Sequence, residues 1–388
     1  MTRRTERLAS LLAIAVVVAA GCSAGAPILA NPTQAPPSRA PATPSPTPPT
    51  DPQPITLPAD DAPHDRLTEW WYYTGHLAAV DGPTFGFEYV IFRAERGAFP
   101  VTWASHLAIT EETGKRFLYD QRAEIGSQPD RSALASGGFD FAINGFDPSQ
   151  PAAGSASEPW TMAGAGGTDR LRAVSSDGAF GIDLALEATK APVLHDIDGW
   201  IDFGLAGGSY YYSRTAMEAS GVVLVDGVDL TVSGSAWFDH QWGDFISVGG
   251  GGWDWFAVNL DDGTDLTLSL VRDVDGSYPL VYGTAVDAGG QVRHLDRDDF
   301  TVLVTDRWTS PRTGADYPAA WTIELPADDL TIRLTPTVAD QELDTRATTG
   351  VVYWEGSQVV AATRAGEPLG GEAYVELTGY APAAVPNP

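Results

Sequence analysis

The sequence predicts an all-β protein made of two β domains of sandwich or barrel type, set behind a signal peptide and a proline-rich linker. Three observations carry this prediction. Apolar residues alternate with polar or smaller ones over short runs: Phe85, Phe87, Tyr89 and Ile91; Ile182, Leu184 and Leu186; Leu266, Leu268 and Leu270. Period two is the repeat of a strand with one face buried. Asx-Gly pairs such as Asn144-Gly145, Asp177-Gly178, Asp226-Gly227, Asp262-Gly263 and Asp275-Gly276 punctuate the runs, and such pairs suit tight hairpins because both residues accept positive φ. No long stretch of helical period follows the first 21 residues.

Residues 1–21 read as a lipoprotein signal peptide. Arg3, Arg4 and Arg7 precede an apolar run, Leu11 to Ala20, that is short for a membrane span. The run ends in Ala19-Ala20-Gly21-Cys22, a lipobox-like site that makes Cys22 the expected lipidated N-terminus. Cys22 is the only cysteine, so no intramolecular disulfide can form. Residues 22–62 hold twelve prolines between Pro27 and Pro58. That composition favours extended polyproline II and makes a linker of about 40 residues, able to reach on the order of 100 Å. The protein is therefore expected outside the cytoplasm, held to a membrane by its N-terminal lipid.

Residues 63–248 form the expected first β domain, and residues 249–381 the second, divided at the glycine run Gly249 to Gly252. Between Ser127 and Thr168 the chain is rich in Gly, Ala, Ser and Pro and reads as long loops, with one strand at Phe139–Phe141. The formal net charge of −28 excludes a basic face for nucleic acid and a polybasic attachment to anionic lipid. The six histidines are scattered, with no pair at a metal-ligand spacing. Neither a Gly-x-Ser-x-Gly elbow nor a phosphate-binding glycine loop is present. Neither a metal nor a cofactor is expected.

Chemistry concentrates in Ser233–Phe256, where Trp237, Trp242, Trp253 and Trp255 stand among Asp239, His240 and Asp254. Indole faces stabilise cations by about 0.5–2 kcal/mol each, and burial keeps a carboxylic acid protonated. Those two properties suit protonation of an alkene. Asp239, Asp254 or Asp273 would supply the acid and His240 the base for water. Alternation places His240 and Trp242 on one strand face and Asp239 on the other. The two halves of the motif flank the glycine run, so His240, Trp242 and Asp254 are expected to converge near the domain junction. Trp71, Tyr73, Tyr210 and Tyr212 are further candidates to line a ligand site. The competing reading makes these aromatics core, Asp239-His240 a junction network, Asp254 an acceptor of backbone donors, and Glu69 an ion-pair partner of Arg93 or Arg214.

Several motifs in series resemble the carotenoid 1,2-hydratase (hydroxyneurosporene synthase) and AttH-like family: Glu69-Trp70-Trp71-Tyr72-Tyr73-Thr74-Gly75-His76-Leu77, Tyr210-Tyr211-Tyr212-Ser213-Arg214, Trp237-Phe238-Asp239-His240-Gln241-Trp242-Gly243, Tyr353-Trp354-Glu355-Gly356 and Tyr374-Val375-Glu376-Leu377-Thr378-Gly379-Tyr380. The resemblance implies two tandem lipocalin-like β-barrel domains and an apolar ligand. It also implies a possible link to a membrane transport system. In the hydratases a Tyr-x-Asp follows the Trp-rich motif, and the matching stretch here, Val271-Arg272-Asp273, supplies Asp273 without the tyrosine. Three functions follow: a lipid-anchored binder of a long isoprenoid or acyl molecule, a hydro-lyase or cyclase acting on one, or a structural envelope lipoprotein with filled barrels. A cavity above ~300 Å³ lined by Trp and Tyr is expected of the first two.

Overall fold

The computed structural model describes residues 50–80, 82–133, 137–145, 158–246 and 250–382. The expected signal peptide, Cys22 and the linker up to residue 49 lie outside the described residues. From Thr50 onward the chain is one compact unit holding two curled antiparallel sheets, the architecture of tandem lipocalin-like β-barrels.

The first sheet has twelve strands: β1 (Thr68–Ala79), β2 (Thr84–Arg96), β3 (Phe99–Glu111), β4 (Arg116–Ile125), β5 (Phe139–Ile143), β6 (Trp160–Ala165), β7 (Thr168–Val174), β8 (Phe180–Ala188), β9 (Val193–Leu194), β10 (Trp200–Asp202), β11 (Gly208–Val225) and β12 (Val228–Gly243). The second has eleven: β13 (Gly250–Leu260), β14 (Asp265–Asp273), β15 (Leu280–Val286), β16 (Val292–Asp296), β17 (Thr301–Thr309), β18 (Asp316–Leu325), β19 (Leu330–Pro336), β20 (Glu342–Asp344), β21 (Val352–Arg364), β22 (Glu367–Leu369) and β23 (Gly371–Thr378). The alternating runs of the sequence became β2, β8 and β14. Asp226 and Gly227, both at positive φ, turn β11 into β12.

Each sheet wraps its own core. Trp71, Tyr73, Phe87, Tyr89, Trp160, Tyr212 and Phe238 fill the first. Phe256, Leu268, Trp321, Ile332, Trp354 and Val375 fill the second. Burial of such side chains contributes about 1.5–3 kcal/mol each. Strands at the joint are apolar on both faces. Tyr72, Val90 and Trp237 on the outside of the first sheet pack against Trp255, Ala257 and Tyr374 on the outside of the second. Hydrogen bonds cross the same joint, including Thr110 Oγ1 to Gln341 Oε1 at 2.6 Å and Thr215 Oγ1 to Asp265 Oδ2 at 2.6 Å.

Two expectations need correction. The proline-rich segment does not stay free to residue 62. Ile55 and Leu57 pack on the first core, Asp51 accepts from Arg66 and Tyr210, and Asp61 is fully buried. Proline density reports stiffness, and a stiff segment docks as readily as a flexible one when it carries matching side chains. The stretch read as loops contains a second strand, β6, whose Trp160 and Met162 alternate into the core. The second sheet begins inside the glycine run, at Gly250, and a β-bulge follows directly. Pairing of β13 with β14 shifts between Gly250 and Trp253, and Gly252 has φ of +89°, where a Cβ would meet the Thr378 carbonyl oxygen at 2.3 Å.

Candidate active site

Two rows of residues, one from each sheet, face each other across the joint. In the first sheet the register aligns Ser213, Asp239, Tyr72, Val90 and His106 across β11, β12, β1, β2 and β3. In the second it aligns Tyr282, Ser269, Trp255, Glu376 and Glu355 across β15, β14, β13, β23 and β21. Between them lies a cavity of about 90 Å³. Trp70, Phe92, Trp253 and Trp255 give it apolar walls. Tyr72, Tyr211, Tyr282 and Tyr353 add hydroxyls, and Glu88, Glu355, Glu376 and Asp239 add four carboxyls. Phe203 and Phe245, from the loops flanking β10 and β12, complete it. Its volume falls short of the expected ~300 Å³ because the tyrosine and tryptophan rings occupy the space between the rows.

The electrostatics of this cavity are set by what is missing from its wall. No lysine, arginine or histidine is among the described residues that line it. Glu88 and Glu355 are fully buried. Burial first, and then the charge of Glu376, push both well above the usual carboxylate range. Burial raises Glu376 to about 7 and Asp239 to about 6. Glu355 and Glu376 stand directly opposite each other on β21 and β23, a placement that disfavours double ionisation. Hydrogen bonds orient one edge of each acid. Tyr72 donates to Glu355 Oε2 at 2.9 Å, and Trp253 Nε1 to Glu376 Oε2 at 2.9 Å. Tyr211 donates to Asp239 Oδ2 at 2.5 Å and Trp237 Nε1 to Asp239 Oδ1 at 2.7 Å. Glu88 Oε2 and Glu355 Oε1 are buried and have no partner among the described residues.

Two buried histidines stand behind the acids. His195 Nε2 is 2.7 Å from Ser213 Oγ, which donates to Asp239. His106 Nδ1 is 2.6 Å from the hydroxyl of Tyr353, which reaches Glu88 at 3.5 Å. Burial lowers each imidazole to about 3, so both are neutral and can relay a proton only by taking it at one ring nitrogen as the other gives one up.

The sequence candidates are distributed unevenly over this geometry. Asp239, Trp253 and Trp255 line the cavity. Trp237 sits at the joint, against Trp255 and bonded to Asp239. Trp71, Tyr73, Tyr210, Tyr212 and Trp242 belong to the filled core of the first sheet and do not line the cavity. His240 is fully buried in that same interior, stacked on Trp71 at 4.6 Å. Asp254 faces the other way from Trp253 and Trp255 and bonds Arg272 at 2.8 Å and Tyr380 at 2.9 Å. The expected convergence of His240 and Trp242 with Asp254 therefore does not occur: the strands of each sheet point them into separate barrels. Asp273 closes the β14–β15 turn by accepting from Val274 N at 2.7 Å. Glu69 pairs with neither Arg93 nor Arg214. It accepts from His64 and His240, and these three residues form the one metal-ligating group found among the described residues.

Glu88, Glu355, Glu376, Tyr72 and Tyr353 were not singled out by sequence reasoning. A signal was present: Glu355 and Glu376 each lie two residues from a tyrosine on the same strand face, in Tyr353-x-Glu355 and Tyr374-x-Glu376, and Glu88 shares a face with Phe92 four residues on. An acid among aromatics on the supposed outer face marks a face that is covered.

Comparisons with known proteins fit this architecture. An AttH protein of Nitrosomonas europaea superposes with a TM-score of 0.70 at 30% identity, over 87% of this chain and all of that one. Kievitone hydratase of Nectria haematococca shares the fold, with a TM-score of 0.61 at 16% identity over 86% of this chain and 94% of that one. The dehydratase asqC of Emericella nidulans is 25% identical over 173 residues, which is 42% of this chain and 48% of that protein. The AttH-like family pattern matches residues 48–380, nearly the whole folded part, and the chain belongs to the AttH-like family.

Proposed function

We propose that the chain binds a long apolar molecule, isoprenoid or acyl, at the joint between its sheets, and there adds or removes water by acid catalysis. The observation that carries this reading is the set of four buried carboxyls facing one cavity with aromatic rings and, among the described residues, no cation in its wall. Burial raises all four, Glu88 and Glu355 well above the usual carboxylate range, and an acid held protonated in this way serves as a general acid. In the dehydration direction, a protonated glutamate gives its proton to the leaving hydroxyl. The C–O bond breaks with its electron pair on oxygen, and water departs. The carbocation left behind faces Trp253, Trp255 and Tyr rings, which stabilise it through their π faces. A carboxylate then takes the proton from the neighbouring carbon, and the C–H electrons become the new double bond. Hydration is the reverse. Glu88 and Glu355 fit the acid role best, since each keeps one oxygen without a protein partner. The dehydratase relative supports this chemistry. The small cavity admits only the reacting end of a long molecule; Leu205 and Ile246, both exposed, continue the apolar surface beside Phe203 and Phe245.

The test is infrared spectroscopy of the purified protein at pH 7 together with native mass spectrometry. A protonated-carboxyl C=O band that diminishes in Glu88→Gln and Glu355→Gln supports the acid role, and a co-purifying lipid identifies the ligand. Absence of any protonated carboxyl at pH 7 would overturn the acid reading. Anchoring through Cys22 outside the cytoplasm is part of the same proposal. Cys22→Ser should release the protein from membranes or leave it unprocessed, and processing that is indifferent to globomycin would rule the anchor out.

A further inference from the structure

Inside the first sheet, on the face opposite the cavity, His64, Glu69 and His240 bring three ligating atoms within 4.8 Å of one another. We propose that these residues bind one divalent transition-metal ion of the zinc type, at a site separate from the four cavity carboxyls. Glu69 Oε1 lies 2.7 Å from His64 Nδ1 and 3.0 Å from His240 Nε2. Two donors on one tetrahedral zinc, each ~2.0–2.1 Å from the ion, stand about 3.3–3.4 Å apart. A separation of roughly half an ångström therefore admits an ion where two shared hydrogens now lie. Two imidazoles and one carboxylate are a zinc donor set that leaves a fourth position for water.

The surroundings support ligation beyond the three atoms. Glu69 Oε2 accepts the backbone N–H of His64 at 2.9 Å, which keeps the carboxylate aimed when Oε1 turns to a metal. Asp60 Oδ1 stands 3.6 Å from His64 Nε2, the place of the carboxylate that backs a metal-bound imidazole. Ligation frees His240 Nε2 of its hydrogen, which moves to Nδ1. Nδ1 is buried and has no partner among the described residues, so the shift breaks no hydrogen bond there. Trp242 stacks on His64 at 4.1 Å, and Trp71 and Trp242 flank His240 at 4.6 Å each, fixing both ring planes. His64 remains about one-fifth exposed, at 21%, which gives an ion a way in.

The experiment uses the full chain without a polyhistidine tag, stripped with chelator and titrated with Co²⁺ and then Zn²⁺. The expected result is one equivalent of Co²⁺ with the visible absorption of a low-coordinate site, displaced by Zn²⁺, and a higher melting temperature with metal. His64→Gln should weaken binding by about 100-fold or more and Asp60→Asn by about 10-fold. His76→Gln, on the opposite face of β1, should leave it unchanged. His64 is partly exposed, so its variant should keep the wild-type circular dichroism spectrum and report on binding alone. Failure of the wild-type chain to bind a stoichiometric ion, or equal affinity in His64→Gln, would show a hydrogen-bond network only and overturn the proposal.

Discussion

The interior of the first sheet and the cavity at the joint both bury acids, and they treat them in opposite ways. In the interior, Asp61 meets the Arg214 guanidinium with both oxygens, at 2.8 and 2.9 Å, and also accepts from Gly166 N at 2.7 Å. In the cavity, Glu88, Glu355, Glu376 and Asp239 meet only hydroxyls, indole N–H groups and rings. A buried acid bonded to a cation ties two parts of the fold together, and removing either partner leaves the other buried alone. A buried acid without one keeps its proton. The kind of partner, more than the depth of burial, therefore separates an acid that maintains the fold from one that can do chemistry.

The contrast can be broken most sharply at Asp61. Asp61→Ala leaves Arg214 buried and unpaired, so stability should fall by about 3–5 kcal/mol in urea denaturation. A loss below about 1 kcal/mol would mean that the pair is incidental. The next effect is in pH. Glu376 rises from 4.5 to about 7 and Asp239 from 3.8 to about 6 on folding. Between those values the folded chain binds more protons than the unfolded one, so stability falls as pH rises. The loss is complete above the folded values, on the order of 3–4 kcal/mol for Glu376. Glu376→Gln should flatten this slope in melting curves taken from pH 5 to 8, and an unchanged slope would assign it elsewhere. The smallest effect is expected for Glu355→Gln. The amide mimics a protonated acid and still accepts from Tyr72, so stability should change by less than about 1 kcal/mol while any hydro-lyase activity is lost. A large stability loss there would place Glu355 with Asp61 as a structural group.

Much of the fold was legible in the sequence because strand period and Asx-Gly turns are local. Phe85 to Ile91 named the inner face of β2, and Asp226-Gly227 named a hairpin. The site was only partly legible. Alternation says which residues share a face, so Asp239 separated correctly from His240. It does not say what lies against that face, so nothing local marked Glu88, Glu355 and Glu376 as members of one site. Long-range partners were invisible for the same reason. Asp61 sits in proline-rich sequence and His240 is far along the chain from His64 and Glu69, and only the curled first sheet brings Asp61 to Arg214 and His240 to Glu69.

The facing rows also bear on how a site of this kind diversifies. Their members ride on strands whose hydrogen-bonded register fixes each Cα, unlike binding sites assembled from loops. Exchanging one side chain in a row alters one point on the wall and leaves its neighbours in place, whereas a one-residue insertion would turn the whole row away. Selectivity within this architecture should therefore evolve by discrete substitutions at Tyr72, Trp255, Ser269, Tyr282 and their row partners, and a directed library restricted to those positions samples its range of ligands.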